Sequence, residues 1–447
     1  MRNISDKHIT ILGAVRSGIA AAKLAKKMGA IPFVSDYSSE LSRVEELDEL
    51  GIAYELGGHT DKVFDCDFII TSPGVPSEAS VIIDAKKKGI YIISEIEFAS
   101  WFCKGSIIAI TGSNGKTTTT SLCAHLLNHS GVKTYSAGNI GNAFSEIVLD
   151  VKENEFVALE VSSFQLDFID SFKPKYAVIL NITPDHLDRY ENDFENYASS
   201  KMRIIKNQTD SDYLIISKDD EYLLKTNSGN AFDYGFSLTP TNSNGCFIRD
   251  ENFIYRDKKS EEIICSSDAL KIKGEHNKYN AMATIIIAKI IGIEKQLIEE
   301  SLKLFPGVEH RLESVREING IEFINDSKAT NVDSVWYALR SFSNPLRLIL
   351  GGKDKGNDYS SIVEQVKNNV KKIYAIGSSA EKIISYFSSI VEVEKMETLE
   401  GTVVKAFHEA STGDVVLLSP ACASFDMFDS YEHRGKIFKQ SVMQLEK

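Results

Sequence analysis

A glycine-rich turn followed by a lysine and threonines is the clearest chemical signal in the sequence. The apolar stretch SIIAIT precedes the turn, the helix-like TSLCAHLLNHSG follows it, and the turn contains Gly112, Asn114, Gly115, Lys116, Thr117 and Thr118. Backbone N–H groups and the helix dipole at such a strand-to-helix turn attract phosphate. Lys116 adds positive charge for the β- and γ-phosphates, and the Thr117 hydroxyl can ligate Mg²⁺. The pattern predicts an ATP-binding phosphate loop rather than a turn that only joins two elements.

Two further strand patterns end in groups that suit metal or proton chemistry. Glu160 ends the pattern FVALE, and Asp185 and His186 follow the pattern YAVILN. Because ligands of parallel sheets bind outside the carboxyl ends of the strands, Glu160 there can hold Mg²⁺ opposite the phosphate loop. His186 is of a type that serves as a general base. The alternatives are a solvated glutamate, a capping aspartate and a packed histidine.

Polar residues on two helix patterns are harder to assign from their types alone. Lys201, within YASSKMRIIK, has the pattern of an ordinary solvated helix lysine. Asn277 and Asn280 open the long apolar helix pattern HNKYNAMATIIIAKIIG, where asparagine side chains either cap the helix or contact a ligand.

Charged residues of both signs occur near a strand end in the last third of the chain. Asp326 and Lys328 follow the pattern IEFIN, and Arg311 comes just after a hinge-like Pro306-Gly307 pair. Such groups suit the clamping of a nucleotide. An ion-paired surface turn is an equally good explanation of their types.

The start of the chain is close to a dinucleotide-binding fingerprint. Gly13 and Gly18 follow the first strand pattern and Asp36 follows the second, but Val15 replaces the middle glycine. Valine there hinders the approach of a pyrophosphate to the backbone, which argues against NAD. Binding of a related nucleotide and a pure packing role both stay open.

The elements that must position these residues are short β-branched stretches alternating with amphipathic helices, a pattern typical of α/β domains. A length of 447 residues favours about three domains. We predict an α/β protein with a Rossmann-like N-terminal domain at 1–102, a central P-loop ATPase-type domain with a mostly parallel sheet at 103–305, and a Rossmann-like C-terminal α/β domain at 306–447. The polar stretch 226–267 is predicted to form a small antiparallel flap.

Composition and charge exclude several classes of protein. The formal net charge is −13, from 50 basic and 63 acidic residues. The chain therefore lacks the positive field by which a protein attracts nucleic acids or anionic membranes. The six cysteines contain no CxxC pair, which argues against a zinc ribbon or a disulfide framework. The sequence contains no run of 18 apolar residues, which argues against membrane insertion. The polar N-terminus leads directly into a strand pattern, which argues against secretion. We predict a cytoplasmic protein.

Nine motifs in order along the chain resemble those of the Mur ligase family. They are TGSNGKTT, GNIG, LEVSSFQLD, LNITPDHLDRY, SSKMRI, EHNKYNA, GVEHRLE, INDSKATN and LGGKDKG. Within that family, GAVRSG, SPGVP and SPACASFDMFDSYEHRG resemble the D-glutamate-adding member. The resemblance implies an ATP-dependent ligase of peptidoglycan precursor synthesis. It would join UDP-N-acetylmuramoyl-L-alanine to D-glutamate through an acyl phosphate, releasing ADP and phosphate, and would act as a monomer.

The resemblance also implies roles for individual residues. Two magnesium sites would use Thr117, Glu160, His186 and a carbamylated Lys201, and the catalytic groups would be Lys116, His186 and Lys201. The nucleotide would also contact Asn277, Asn280, Arg311, Asp326 and Lys328. The UDP substrate would contact Ser17, Asp36, Ser72, Asn139 and Gln165. The D-glutamate pocket would contain Thr330, Lys355, Ser424 and Tyr431, where Tyr431 replaces a phenylalanine common in the family.

Two other interpretations remain to be weighed. A ligase of the same family could add another amino acid, or glutamate to a folate-like acceptor, but the complete first domain and the SPACAS motif argue against this. A catalytically idle nucleotide-binding regulator would be expected to have lost the phosphate-loop lysine, the metal ligands or Lys201. All of these residues are present.

Overall fold

The chain folds into two compact units, each built on parallel sheets. The computed structural model describes residues 2–39, 43–139, 141–225, 229, 231–258, 260–272, 274–354 and 356–446. The first unit comprises Met1–Leu270 with Lys278–Phe305, and the second comprises Lys271–Asn277 with Pro306–Lys447. The described residues form three sheets, two in the first unit and one in the second, so the prediction of an α/β fold built on mostly parallel sheets is confirmed.

The first sheet alternates strands and helices, as the βαβ pattern predicts. Its strands are β1 His8–Leu12, β2 Ile31–Asp36, β3 Ala53–Leu56, β4 Phe68–Thr71 and β5 Tyr91–Ser94. Its helices are α1 Arg16–Lys27, α2 Glu45–Glu49, α3 Ser80–Lys87 and α4 Glu95–Ser100. The strand order is β3-β2-β1-β4-β5 and every pairing is parallel. This is a Rossmann-like order, in which ligands bind where the order reverses, between β1 and β4.

A close approach of α1 to β1 forms that crevice. A Cβ atom on Gly18 would lie 1.7 Å from the carbonyl oxygen of Gly13, so only glycine allows the helix to pack at this distance. Alanines on α1 face the core, among them Ala21, Ala22 and Ala25, all fully buried. The fingerprint glycines therefore act in packing, whatever ligand the crevice holds.

The central sheet holds the predicted phosphate loop. Its strands are β6 Ser106–Thr111, β7 Thr134–Gly138, β8 Phe156–Glu160, β9 Tyr176–Ile179, β10 Tyr213–Ser217, β11 Phe232–Ser237, β12 Gly245–Arg249, β13 Asn252–Asp257 and β14 Ser260–Ser266. The associated helices are α5 Lys116–His129, α6 Phe144–Ile147, α7 Ser163–Leu166, α8 Phe194–Met202, α9 Glu221–Leu224, α10 Glu275–Ile291 and α11 Lys295–Leu304.

The order of the central strands brings three strand ends together. The order is β14-β13-β12-β11-β10-β9-β6-β8-β7, and β6 pairs in parallel with both β8 and β9. The carboxyl ends of β9, β6 and β8 are therefore neighbours. Strands β12, β13 and β14 pair antiparallel, as predicted for the polar stretch, but they extend the main sheet through a parallel β11–β12 pairing instead of forming a separate flap.

The second unit contains the third sheet. Its strands are β15 Glu313–Ile318, β16 Ile321–Asn325, β17 Leu346–Gly351, β18 Val370–Ile376, β19 Glu392–Lys395 and β20 Val415–Leu418. Its helices are α12 Val332–Arg340, α13 Val363–Asn369, α14 Ala380–Phe387, α15 Leu399–Glu409 and α16 Tyr431–Gln444. The order is β15-β16-β20-β17-β18-β19, parallel except for the edge strand β15. The carboxyl ends of β16, β20 and β17 are neighbours.

Within the part of the chain that the structure describes, no helix combines the length and the apolar character needed to cross a membrane.

A buried carboxylate joins the first sheet to the central sheet within the first unit. Glu97, on α4, is 0% exposed. Its oxygens accept hydrogen bonds from Trp101 Nε1 at 2.7 Å and from the backbone N–H groups of Asp170, Ser171 and Phe172 at 2.9, 3.0 and 2.6 Å. The Glu97 side chain thus accepts from donors on two separate parts of the first unit and ties them together.

We expect Glu97→Gln to destabilise the first unit by about 2 kcal/mol or more, because an amide NH₂ would face backbone N–H donors and leave them unpaired. Urea unfolding followed by tryptophan fluorescence measures the change. The matched control is Glu49→Gln, the same substitution at an exposed residue at the end of α2. Equal unfolding midpoints for the two variants would contradict this role of Glu97.

Candidate functional site

The predicted phosphate loop connects the end of β6 to the start of α5. Gly112 and Gly115 have φ angles of +151° and +85°. A Cβ on Gly115 would lie 2.5 Å from Asn280 Oδ1, so a side chain does not fit there. Lys116 Nζ donates to the carbonyl oxygens of Gly112 and Ser113, both at 2.8 Å. The loop thus has the glycine conformations and the fixed positive charge that a phosphate cradle needs.

Hydrogen bonds attach this loop to the segment that follows β9. Ser113 Oγ donates to the Thr183 carbonyl at 2.8 Å, accepts from the Thr183 N–H at 2.9 Å, and lies 2.9 Å from Tyr197 Oη. The Asn114 N–H donates to Asn181 Oδ1 at 2.8 Å. Sequence reasoning gave Ser113, Asn181 and Tyr197 no individual role. The one available signal was that Asn181 follows a strand beside the phosphate-loop strand.

Lys201, on α8, is buried against the phosphate loop. It is 2% exposed, and its Nζ donates to the Gly112 carbonyl at 2.9 Å. Burial lowers the pKa of Lys201 well below its ordinary value, and the charge of Lys116 lowers this pKa further, while Asp185 and Glu160 oppose the shift. The interpretation of Lys201 as a solvated helix lysine is therefore wrong. This environment disfavours the charged form of the amine.

Glu160 ends β8 beside the phosphate loop and is 1% exposed, so it is not a solvated strand-end residue. Its Oε1 accepts a hydrogen bond from Asn139 Nδ2 at 3.0 Å. Its Oε2 is buried and has no hydrogen-bond partner among the described residues. A buried carboxylate oxygen without a protein donor is available to a cation, a water molecule or a ligand donor.

The residues predicted to hold magnesium have side chains of types that bind this ion. Thr117 is buried in the first turn of α5, directly after the phosphate-loop lysine. Hydroxyl and carboxylate oxygens are the ligands that a hard divalent cation prefers. His186 has a left-handed conformation (φ +52°), its Nε2 lies 3.7 Å from Asp185 Oδ2, and its half-exposed ring packs edge-on against Phe164.

Gln165 is buried in α7, close in sequence to the end of β8. Its Oε1 accepts from the N–H and the hydroxyl of Ser162 at 3.0 and 3.1 Å, forming a capping box that starts the helix. Its Nε2 has no hydrogen-bond partner within the described ranges. The helix cap therefore fixes the orientation of the amide and leaves a donor available to a ligand.

The residues predicted to bind the UDP substrate in the first sheet lie at its carboxyl edge. Asp36 Oδ2 accepts from the Ala14 N–H at 2.6 Å, which holds the loop after β1 against the end of β2. Ser72 Oγ lies 3.4 Å from the Gly13 carbonyl across the β1–β4 crevice. Ser17 is half-buried in the first turn of α1. The structure brings these residues to the switch point of the sheet.

Asp326 follows β16 in the second unit and is buried, so the alternative of an exposed surface turn is wrong for this residue. Its carboxylate accepts from Ser419 Oγ at 2.8 Å and from the Leu312 N–H at 3.2 Å. Burial raises the pKa of Asp326 to about 7, and the charge of Arg311 opposes this shift. The neighbouring ends of β16 and β20 thus share a buried carboxyl group, since Asp326 follows β16 and Ser419 follows β20.

Lys328 and Thr330 lie close to Asp326 in sequence, Tyr431 begins α16, and Ser424 lies between β20 and α16. Lys328 Nζ is 3.3 Å from Tyr431 Oη and 5.1 Å from the centre of that ring. The Thr330 N–H donates to the Lys328 carbonyl at 2.9 Å, and Ser424 is buried. The prediction for Lys355 lies outside the described residues.

The two asparagines of α10 belong to different units. Asn277 is buried in the second unit, and its backbone N–H donates to the Gly274 carbonyl at 3.0 Å. Asn280 belongs to the first unit, where its Oδ1 accepts a hydrogen bond from Thr119 Oγ1 at 3.0 Å, one turn into α5. Asn280 therefore contacts the helix that starts at the phosphate loop.

Several solved structures have the same fold. A UDP-N-acetylmuramate-alanine ligase from Thermotoga maritima is 21% identical, with a TM-score of 0.62 covering 98% of this chain and 99% of that chain. A pseudomurein peptide ligase type C from Methanothermus fervidus is 19% identical, with a TM-score of 0.61 covering 99% and 100% of the two chains.

Family descriptions match three parts of the chain, and sequence relatives cover nearly all of it. The matching descriptions are "MurD N-terminal domain" at residues 9–81, "Mur ligase middle domain" at 110–288 and "Mur ligase, glutamate ligase domain" at 310–422. Two relatives are named "UDP-N-acetylmuramoylalanine--D-glutamate ligase". The relative from Christiangramia forsetii is 45% identical, covering 98% of this chain and 100% of its own length. The relative from Salinibacter ruber is 42% identical, covering 98% and 97%. At this identity over this length, the chain belongs to the Mur ligase family.

Proposed function

We propose that this protein joins UDP-N-acetylmuramoyl-L-alanine to D-glutamate with ATP, releasing ADP and phosphate, in peptidoglycan precursor synthesis. The names of relatives that are 42–45% identical over nearly the whole chain support this substrate pair. The observation that carries the proposal is the convergence of Lys116 and buried Lys201 on the Gly112 carbonyl of the phosphate loop. Lys116 supplies positive charge for the transferred phosphate, and the depressed pKa of Lys201 favours the reactive form of its amine.

The reaction needs phosphate transfer because a carboxylate is a poor acyl donor. One carboxylate oxygen of the UDP substrate attacks the γ-phosphorus of ATP, and the bond from that phosphorus to the β-phosphate oxygen breaks, giving ADP and an acyl phosphate. The amine of D-glutamate then attacks the acyl carbon. The tetrahedral intermediate loses phosphate and the nitrogen loses a proton, which leaves the amide bond. Exclusion of water protects the acyl phosphate from hydrolysis.

The phosphate loop supplies binding and charge to this reaction. We propose that Gly112, Asn114, Gly115 and Thr118 place backbone N–H groups or a hydroxyl at the phosphates, with Lys116 at the transferred group. Magnesium, when bound, would neutralise charge on the phosphates. Two sites are proposed, with Thr117 and Glu160 at the first and His186 and Lys201 at the second.

Lys201 is proposed to act as a carbamate. The lysine nitrogen attacks carbon dioxide, an N–C bond forms, and the nitrogen releases a proton, so the side chain becomes an anion. Only the neutral amine reacts in this way, and burial together with Lys116 lowers the pKa of Lys201 in the required direction. The product reverses the sign of a charge that otherwise repels Lys116.

We propose substrate contacts for the other residues predicted from the sequence. Ser17, Asp36, Ser72, Asn139 and Gln165 would bind the UDP substrate, and Asn277, Asn280, Arg311, Asp326 and Lys328 would bind the nucleotide. Thr330, Lys355, Ser424 and Tyr431 would bind D-glutamate. We also propose domains at 1–102, 103–305 and 306–447, a monomeric state, and a cytoplasmic location.

Substrate identity is tested by phosphate release with Mg-ATP and UDP-N-acetylmuramoyl-L-alanine. We compare D-glutamate with L-glutamate, L-lysine and meso-diaminopimelate and record the product mass. The expected result is an adduct with D-glutamate alone. Folded protein that binds ATP but forms no D-glutamate adduct would contradict the proposal and favour a folate-like acceptor or a regulatory role.

We expect Lys201→Met to lower kcat by at least about tenfold, because it removes a group proposed to hold the metal. In carbon dioxide-depleted buffer it should not lower stability. In the native state the pKa of the Lys201 amine is depressed, whereas in the unfolded chain it is that of an ordinary lysine. Below the ordinary pKa the unfolded chain therefore binds a proton that the native state disfavours, and this proton lowers the free energy of unfolding of wild type. The difference in free energy of unfolding between Lys201→Met and wild type should shrink as the pH rises towards the ordinary lysine pKa.

The matched control for this variant is Lys206→Met, which removes a half-exposed lysine near the end of the same helical segment. We measure kcat and urea unfolding for both variants. Signals of a lysine carbamate in ¹³C NMR after addition of ¹³C-bicarbonate should appear in wild type and in Lys206→Met. Their persistence in Lys201→Met, or full activity of that variant, would contradict the assignment.

We expect Glu160→Gln to raise the magnesium concentration for half-maximal activity by at least about tenfold, since an amide replaces the charged oxygen that has no protein partner. Activity is measured against free Mg²⁺ at saturating ATP. Glu153→Gln, in the exposed turn before β8, is the control. An unchanged magnesium dependence in Glu160→Gln would exclude this carboxylate as a ligand.

A further inference from the structure

A fully buried arginine lies under the turns of the second unit. Arg434, on α16, is 0% exposed. Its Nε donates to Ser327 Oγ at 2.9 Å, its Nη2 donates to the Ser327 carbonyl at 2.7 Å, and its Nη1 donates to the Cys422 carbonyl at 3.1 Å. The Ala423 carbonyl lies 3.5 Å from the same Nη1. The guanidinium is thus surrounded by backbone carbonyls and one hydroxyl.

This arrangement is unusual for a buried charge, because buried arginines are ordinarily paired with carboxylates. Within the described ranges of the chain, the hydrogen-bond partners of the Arg434 guanidinium are carbonyl oxygens and a hydroxyl, and no carboxylate is among them. Burial lowers the pKa of Arg434 to about 10, and Asp326 and Asp426 act on it only as more distant charges. A neutral side chain of similar volume would avoid this desolvation, so folding alone does not explain an arginine here.

The acceptors belong to the segments that carry the proposed D-glutamate pocket. Ser327 lies in the turn after β16, three residues before Thr330. Cys422 and Ala423 directly precede Ser424. Arg434 itself lies one turn along α16 from Tyr431. One planar group therefore connects the three parts of the chain that would surround the amino acid.

Further hydrogen bonds of Ser327 and of the Ala423 carbonyl link the Arg434 acceptors to neighbouring turns. Ser327 Oγ accepts from Arg434 Nε and donates to the Tyr431 carbonyl at 2.8 Å. The Ala423 carbonyl accepts from the Lys353 N–H at 2.9 Å, at the end of the turn after β17. A Cβ on Gly352 would lie 2.4 Å from that carbonyl, so the turns pack closely. Small shifts at Arg434 would be transmitted directly to these turns.

We propose that Arg434 is a positioning residue that sets the geometry of the amino-acid pocket by holding the 327–330 turn, the 422–424 segment and the start of α16 in register. The inference rests on the proposed function, because the pocket residues are those proposed for D-glutamate. Arginine suits this task because its guanidinium is a rigid, planar fork, whereas lysine offers one ammonium on a flexible stem. Its positive charge also favours an anionic amino acid nearby.

The test is steady-state kinetics of Arg434→Lys in the full-length chain, with each substrate varied in turn. Lysine keeps the charge but cannot reach the separate acceptors together. We expect the KM for D-glutamate to rise by at least about tenfold, because errors of about 1 Å in positioning have effects of this size or larger. The KM values for ATP and the UDP substrate should stay within about twofold of wild type.

Val442→Ala is the matched control. Val442 is fully buried on α16, in the core below the pocket, so its truncation destabilises the same helix without touching the guanidinium. We expect it to lower the unfolding midpoint without a selective change in the KM for D-glutamate. Ser327→Ala is a milder second variant, which tests the positioning role of Arg434 if Arg434→Lys does not fold. It removes the acceptor of Nε and should also raise the KM for D-glutamate selectively.

The inference is overturned if Arg434→Lys, or Ser327→Ala where it replaces that variant, has the D-glutamate KM of wild type. It is also overturned if all three KM values rise together, or if Val442→Ala gives the same selective change. Failure of wild type to ligate D-glutamate is a different result, which would reject the proposed function itself.

Discussion

The carbonyl oxygen of Gly112 accepts hydrogen bonds from two lysines, and much of the site depends on this one atom. Lys116 and Lys201 approach it at 2.8 and 2.9 Å. Two ammonium groups at one carbonyl repel each other, and burial disfavours the charge of Lys201 further. The second amine is therefore held towards its neutral form beside the phosphate loop. The approach of both lysines to the Gly112 carbonyl thus orders the loop and also lowers the pKa of Lys201.

Parallel sheets explain why the functional groups meet. In each of the three sheets, neighbouring parallel strands end at one edge, and the loops there carry polar residues. In the central sheet, the ends of β6 and β8 place Glu160 beside the phosphate loop. In the third sheet, the ends of β16 and β20 join Asp326 to Ser419. The strands are rigid because both faces are covered, so the residues at their ends are held in place.

Two buried charged side chains in this protein are held mainly by backbone atoms. Glu97 is surrounded by N–H donors and Arg434 by carbonyl acceptors. Backbone groups belong to elements of the fold and cannot be changed by substitution, so each charged side chain orders several segments together. Removing such a side chain leaves several groups unpaired, which is why these positions influence distant turns.

The sequence by itself determined the α/β class, the phosphate loop and the order of the family motifs, because strand periodicity, glycine spacing and the Lys116–Thr117 pair are local properties. Local patterns misjudged Lys201, which has the sequence signature of a solvated helix lysine but is 2% exposed. They also placed β12 to β14 in a separate flap, since the pairing of β11 with β12 is not visible in the chain.

Only the tertiary structure decided which groups share a site. The hydrogen bond from Asn139 to Glu160, the contact of Ser113 with Tyr197 and the carbonyls around Arg434 join residues far apart in sequence. Burial and mutual distance set the pKa of a titratable group, and neither can be read from residue type. The chain specified the chemical groups, while packing fixed their charges and their neighbours.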